Sequence, residues 1–306
     1  MKQCGFGNAC AKIILSGEHS VVYGEPAIAL PFFAGKVDCE VCSRNEYTYI
    51  ESSVYTGKFE DAPSELNGLK KLLSLIAIQH NLENEHFMIK LISNIPSQRG
   101  FGSSAAVSVA LVRAFYDYLN EPLEDDQLRM LVSFAENEHH SNPSGLDSET
   151  IIKEKVIYFK KNEDLLFLKL NLQAYLVVAD TGVPASTKEA VDLVSEKLLD
   201  NTKPVLELGE MTNKILDQIH EKNLNGLGKS MTRSHQILCS LGVSSSTLDK
   251  YVEVSLSKGA YGAKLSGGGL GGCMIALCST ENYTDIIDAL RLEGANDIWT
   301  IDLREV

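Results

Sequence analysis

The sequence predicts an α+β fold in two domains, and three observations lead there. The first half reads as long strands with segregated helices, and the second as successive helices broken by a strand–glycine–strand element. The 306 residues, 44% of them hydrophobic, can fill more than one core. The texture changes between about residues 170 and 186, which places the domains at 1–170 and 171–306.

The elements follow in order. "AIALPFFAGKVDCEVCS" (27–43) is a long strand, with a bend or bulge expected at Pro31 because proline lacks the ladder amide. "SELNGLKKLLSLIAIQHN" (64–81) carries Leu66, Leu69, Leu72, Leu73 and Ile76 at helical spacing. "HFMIKLISN" (86–94) alternates as a strand. A helix then runs from a glycine turn to about Leu119, and a second from about Glu124 to His140. "KVIYF", "LLFLKL" and "AYLVVAD" read as strands. Helices follow from about residue 186, interrupted by "GAKLSGGGLGGCMIALC" (262–278), and a last helix and the strand "DIWTIDL" close the chain.

Charge narrows the function. A formal net charge of −13, with lysines only in isolated doublets such as Lys70-Lys71 and Lys160-Lys161, argues against a nucleic-acid or anionic-membrane partner. No secretory h-region follows Met1-Lys2, and no apolar run reaches the length of a membrane span. The seven cysteines are scattered. Cys39 and Cys42 form a C-x-x-C within a strand, where residues three apart face opposite ways. The expectation is structural thiols in a reducing cytosol.

Three glycine clusters compete as anion sites. In "QRGFGSSAAVSVALVRAF" (98–115), glycines let the backbone approach a ligand, and the following helix offers unpaired amides and its positive end. Ser103 and Ser104 add hydroxyls, and Ser104 is placed to reach a metal ion. A plain N-cap needs one serine and hardly two glycines. The dinucleotide reading of Gly100-Phe101-Gly102-Ser103-Ser104-Ala105 is weaker. "NIPSQR" separates it from the preceding strand, and Glu121, the acidic residue at the right distance, sits in a turn. "SGGGLGG" (266–272) has more glycine than any hairpin needs, which favours close approach of backbone to ligand. Gly228-Lys229-Ser230 mimics a P-loop ending, but Asn223 occupies the place of its first glycine, so it reads as helix.

Two polar clusters carry the remaining chemistry. Lys12 opens the apolar strand Ile13-Ile14-Leu15, followed by Glu18-His19; a lone lysine at a strand end ordinarily keeps its head in water. In "FAENEHHSNPSGLD", Glu136 and His140 share a helix face, helix propensity fails at Asn142-Pro143, and Asp147 falls in a turn before the next strand. His139-His140 has no further ligand in register for a metal site. Phosphoryl transfer asks for an anion-binding backbone, a metal held by hydroxyl and carboxylate, a nearby cation and a carboxylate facing the attacking hydroxyl. Gly100–Ala105, Ser104 with Glu136, Lys12, and Asp147 supply these roles in turn.

Together these clusters resemble the GHMP kinase family over almost the whole chain. "PSQRGFGSSAA" is similar to its P-x-x-x-G-L-G-S-S-A-A, with Phe101 for leucine. "KLSGGGLGG" is similar to K-L-T-G-A-G-G-G-G, with Ser266 for threonine and Leu270 for a glycine. "KIILSGEHSVVYGEPAIAL" and "HHSNPSGLD" are most similar to the bacterial-type, mevalonate-phosphorylating branch, Ser141 being a departure; "DTGVPAST" (180–187) also has a counterpart. The resemblance implies a ribosomal-protein-S5-domain-2-like N-terminal domain and a ferredoxin-like C-terminal domain, with the last strand able to pack back on the first. It implies ATP-dependent phosphorylation of mevalonate at its 5-hydroxyl in a cytoplasmic enzyme, with Mg2+ as cofactor and assembly as a homodimer. Asp147 and Lys12 match its catalytic pair, and Ser104 and Glu136 its magnesium ligands. Pro96, Gly100, Gly102, Ser103, Ser104, Ala105, Gly267, Gly268 and Gly269 match its ATP-phosphate contacts. Glu18, His19 and Thr181 match the substrate side. Phosphomevalonate as substrate would call for further basic residues, for which Arg99 and Lys188 are the candidates. A non-catalytic ligand sensor would have no need of Lys12, Glu136 and Asp147.

Overall fold

The computed structural model describes residues 2–137, 144–199 and 201–306. The expected helix end at His140, the His139-His140 pair, Ser141 and the Asn142-Pro143 break lie outside the described residues. The chain forms two compact units. Unit 1 comprises Met1–Lys12, Pro31–Pro96 and Gly102–Glu154, and unit 2 comprises Ile13–Leu30, Ser97–Phe101 and Lys155–Val306.

Unit 1 is built from strands β1 (Cys4–Ser16) and β2 (Ala27–Arg44), whose other ends belong to unit 2, followed by β3 (Tyr49–Glu51) and β4 (Thr56–Lys58). Helix α1 (Asn67–Gln79), strand β5 (His86–Ser93) and helices α2 (Ser103–Leu119), α3 (Asp125–Glu136) and α4 (Leu146–Lys153) complete it. β2 pairs β5 antiparallel from Val37↔Ser93 to Arg44↔His86, β3 runs parallel to β5, and β1 lies beside β2. The alternation of β5 buries Phe87, Ile89 and Leu91 on one face. Phe87 meets Phe115 of α2 edge-to-face, with ring centroids 5.0 Å apart. α2 packs on α3 and α4, and α1 on α3, so α2 is buried along most of its length.

Unit 2 opens with β6 (Ile157–Phe159), which pairs with Ala27–Ala29 of β2 and with β7 (Leu166–Phe167). Then come β8 (Tyr175–Asp180), helices α5 (Thr187–Leu198), α6 (Lys203–His220), α7 (Leu224–Ser240) and α8 (Ser246–Ser257), strands β9 (Gly262–Ser266) and β10 (Cys273–Cys278), helix α9 (Tyr283–Leu292) and β11 (Asp297–Asp302). The last four strands form an antiparallel sheet in the order β11-β8-β10-β9. Numbered along the chain that order is 4-1-3-2, the ferredoxin-like arrangement expected. Its core joins Val177 and Ala179 of β8 and Met274 and Ala276 of β10 to Leu208, Leu238 and Leu248 from the helices. The α5 and α8 starts are capped by Ser186 and Ser245, whose hydroxyls accept from the amides of Glu189 and Leu248. Gly228-Lys229-Ser230 lies inside α7, as its helical reading predicts. No helix among the described residues is long and apolar enough to cross a membrane.

Four expectations are corrected. Asp147 is not in a turn before a strand but in the first turn of α4, because Gly145 takes the left-handed conformation (φ 86°) that restarts the chain as a helix. "LLFLKL" keeps only the two residues of β7 in strand. β1 begins at Cys4, so Lys12 sits well inside a strand rather than at its start. The cysteines are not all thiols: Cys4 and Cys42, brought side by side on β1 and β2, form a disulfide, while Cys39 points to the opposite, buried face.

Candidate active site

In unit 1 the site is assembled around Lys12. β1 carries it into the interior, where the residue is 2% exposed, and its ammonium reaches Asp147 Oδ1 at 2.9 Å. A lysine that merely kept its head in water would be exposed, so that reading is excluded. Gly102 makes the approach of α2 feasible. Its φ of 72° is left-handed, and a Cβ there would come within 3.0 Å of Lys12 Cγ and 3.1 Å of Lys12 Cε. The first turn of α2, Ser103, Ser104 and Ala105, therefore follows directly on a residue packed against the lysine stem. Ala105 is buried, Ser103 half-buried and Ser104 exposed. The amides at such a helix start have no intrahelical partner and favour an anion. Pro96 is half-buried and closes the segment that follows β5.

Glu136, at the end of α3, lies in the same group. Burial, reinforced by the Asp147 charge, pushes its carboxyl up to about 8; a hydrogen bond from Ser148 and the Lys12 charge oppose the rise. Asp147 itself is open, with 36% of its side chain exposed. The outcome is a carboxylate able to accept a hydrogen bond from an incoming hydroxyl, steadied from behind by a buried cation.

In unit 2 the candidate segment is the glycine loop after β9. Gly267 faces Gly100 so closely that a Cβ on Gly267 would stand 2.8 Å from the Gly100 Cα. Gly100, Gly268, Gly269 and Gly272 line a narrow crevice with Arg99 and Thr187. The structure thus brings Gly100 together with Gly267, Gly268 and Gly269. Leu270, which departs from the glycine pattern, still adopts φ 61°. Its amide donates to the Val243 carbonyl (2.7 Å) and its side chain packs on the core, and these contacts offset the strain. Phe101, the other departure, is buried edge-to-face on Trp299.

The residues expected on the substrate side also lie in unit 2. Thr181 donates its hydroxyl to the Gly272 carbonyl at 2.8 Å. His19, 6% exposed and at φ 61°, has Nε2 2.9 Å from the Gly268 carbonyl. Glu18 is sealed from solvent and paired with Lys264 of β9. Sequence reasoning missed Lys264, although a lysine inside the apolar strand "GAKLS" is the same signal that drew attention to Lys12. It also missed that Arg99 is engaged: Nε donates to Asp180 Oδ1 (3.0 Å) and Nη2 to the Gly182 carbonyl (2.6 Å).

Comparison with known proteins bears on this geometry. The GHMP kinases N terminal domain matches residues 67–152 and the GHMP kinases C terminal domain residues 215–296, together more than half the chain. The chain is similar to the mevalonate kinase of Thermococcus gammatolerans, 30% identical over 320 residues that cover 96% of this chain and 94% of that one. It is similar to the crystal structure of mevalonate kinase from methicillin-resistant Staphylococcus aureus, at 33% identity, 99% coverage of both chains and a TM-score of 0.75. The Streptococcus pneumoniae phosphomevalonate kinase has a higher TM-score, 0.85 over 97% of this chain and 99% of that one, but only 17% identity, which is a likeness of fold alone. With both domain signatures and relatives matched along nearly their full length, the chain belongs to the GHMP kinase family.

Proposed function

We propose that the chain phosphorylates mevalonate at its 5-hydroxyl with ATP. The observation that carries this reading is the Lys12–Asp147 pair: a buried ammonium 2.9 Å from a carboxylate that remains open on its other side. Asp147 accepts the hydrogen bond of the 5-hydroxyl and so aligns its oxygen for attack. Lys12 holds the carboxylate in place and offsets the charge that develops on transfer. In unit 1 the α2 amides beyond Gly102, which follow the segment after Pro96, and in unit 2 the loop Gly267–Gly269 beside Gly100 are each assigned to ATP phosphates. His19, Glu18 and Thr181 serve the substrate side.

The donor set suits magnesium. Ser104 and Glu136, on packed helices α2 and α3, offer hard oxygen atoms. The acid pair Glu136 and Asp147, whose mutual repulsion raises the Glu136 carboxyl, is the electrostatic situation a divalent cation relieves. When bound, the ion neutralises phosphate charge. A cytoplasmic setting and homodimeric assembly belong to the same reading, and light scattering on the purified chain tests the latter.

Mevalonate is favoured over phosphomevalonate because Arg99 is committed to Asp180 and Gly182, which leaves the exposed Lys188 as the remaining basic candidate. ADP release measured with mevalonate, phosphomevalonate, galactose and homoserine tests the proposal. Turnover is expected with mevalonate. Preference for phosphomevalonate, or ATP binding without turnover of any alcohol, would overturn it.

A further inference from the structure

Strand β9 places residues 264 and 266 two apart on one side of the chain, and Gly268 follows in the loop after it. Each is bonded to the segment that closes β1, and all of these residues belong to unit 2. The Lys264 ammonium donates to Glu18 Oε1 and, at 2.7 Å, to the Leu265 carbonyl. The Ser266 hydroxyl donates to the Ile14 carbonyl (2.9 Å) and accepts from the Ile14 amide (3.1 Å). The Gly268 carbonyl meets His19 Nε2 at 2.9 Å.

Two consequences follow from elementary chemistry. A carbonyl only accepts, so His19 carries a proton on Nε2, and in its neutral form the ring presents Nδ1 as an acceptor. A left-handed backbone at a non-glycine residue persists only where its surroundings hold it, and the Glu18–Lys264 pair is the fixed point beside His19. Both side chains of that pair are fully buried, so water cannot replace either partner.

We propose that Lys264 is a positioning residue for the substrate side of the site: through Glu18 it fixes the Gly17-Glu18-His19 turn on the glycine loop and keeps His19 neutral, with Nδ1 free to accept from a substrate hydroxyl. The hydroxyl clause rests on the mevalonate reading; the positioning clause does not. Burial above all, with the Lys264 charge adding to it against the Gly268 carbonyl, lowers His19 to about 4. Lys264 comes from β9, and the loop contributes only the Gly268 carbonyl. α6, packed on the turn Ser20–Tyr23, presents Thr212 to Ser16 and Gly209 to the Glu25 carboxylate. Among the described residues Lys264 is therefore the charge that acts on the ring. It also lies beside His235, whose Nδ1 accepts from the Leu265 amide at 3.3 Å.

The test uses the full chain with 15N-labelled histidine, His19→Gln serving to assign the signal. Wild type is expected to show a neutral, Nε2-protonated His19 down to about pH 5. Lys264→Met should move its titration midpoint up toward the ordinary histidine value and raise KM for mevalonate about tenfold, with kcat changed less. Because Lys264→Met takes the buried cation away from the Glu18 carboxylate, Lys264→Met/Glu18→Gln is made as well. It should recover the melting temperature while the His19 midpoint and KM stay altered, which a structural role would not produce. An unchanged midpoint in the double variant, or KM restored with stability, would overturn the proposal. Absence of mevalonate turnover in wild type would sink the functional reading alone, and the histidine titration would still decide the role of Lys264.

Discussion

Unit 1 and unit 2 each hold a buried lysine bonded to a carboxylate, and the two pairs differ in one respect. Lys12 is buried but Asp147 is open; Lys264 and Glu18 are both sealed. A half-open pair keeps one carboxylate face for a substrate and lets solvent stabilise the acid if the lysine is lost. In a closed pair no water can take over from either partner, so losing one leaves the other's charge in the interior. On the proposed reading, the same two residue types make a reactive group in one place and a brace in the other. Exposure of the carboxylate, not the identity of the partners, decides which.

The sharpest break in that contrast is Asp147→Ala. It should lower kcat by about 10²-fold or more while ATP binding holds, since it removes a positioned group. Near-normal kcat would end the assignment. Next come paired thermal melts. Lys264→Met should destabilise the fold by about 3–5 kcal/mol, because Glu18 loses its buried cation where no water can replace it. Lys12→Met should cost clearly less stability and more turnover. Equal melting temperatures for the two variants would erase the distinction between open and closed pairs.

A smaller effect concerns acid. His19 titrates near 4 in the folded chain and near 6.5 when unfolded, so between those values the unfolded chain binds the extra proton. Stability should fall as pH drops from about 6.5 to about 4, by roughly 2–3 kcal/mol in total, with no further loss from this group below that range. Chemical denaturation across the range should show a shallower slope in His19→Gln. The least of the four is Gly102→Ala, at about 1–2 kcal/mol, from a left-handed φ and the crowding of the Lys12 stem. Its diagnostic sign is a changed kcat from a residue that carries no functional group.

Much of the candidate site was legible because its chemistry needs unusual residues in short order. Two glycines and two serines before an apolar helix, or five glycines between two strands, have few other uses, and both segments occupy the places expected of them. The helix pattern of α1 and the alternation of β5 were equally plain, since one face of each is buried and the other wet. Other features left weaker traces. Glu18 and Lys264 are 246 positions apart and Cys4 and Cys42 are 38 apart, so nothing local announces either pairing. The short strands β3 and β4 bury too few residues for a periodic signal. The helical start at Asp147 depends on a single glycine conformation at Gly145, and a turn has the same composition.

The sequence by itself determined the local chemistry: which backbone segments can approach an anion, which helix starts offer free amides, and which acids and lysines sit beside apolar runs. Those properties follow from side-chain sterics and hydrogen-bonding capacity within a few residues. Only the tertiary structure decided that residues 13–30 and 97–101 join the later chain in unit 2, and that the Lys12 head is buried while Asp147 stays open. It alone closed Lys264 over Glu18. Burial is a sum over distant segments packed together, and the dielectric around a charge exists only once that packing is complete.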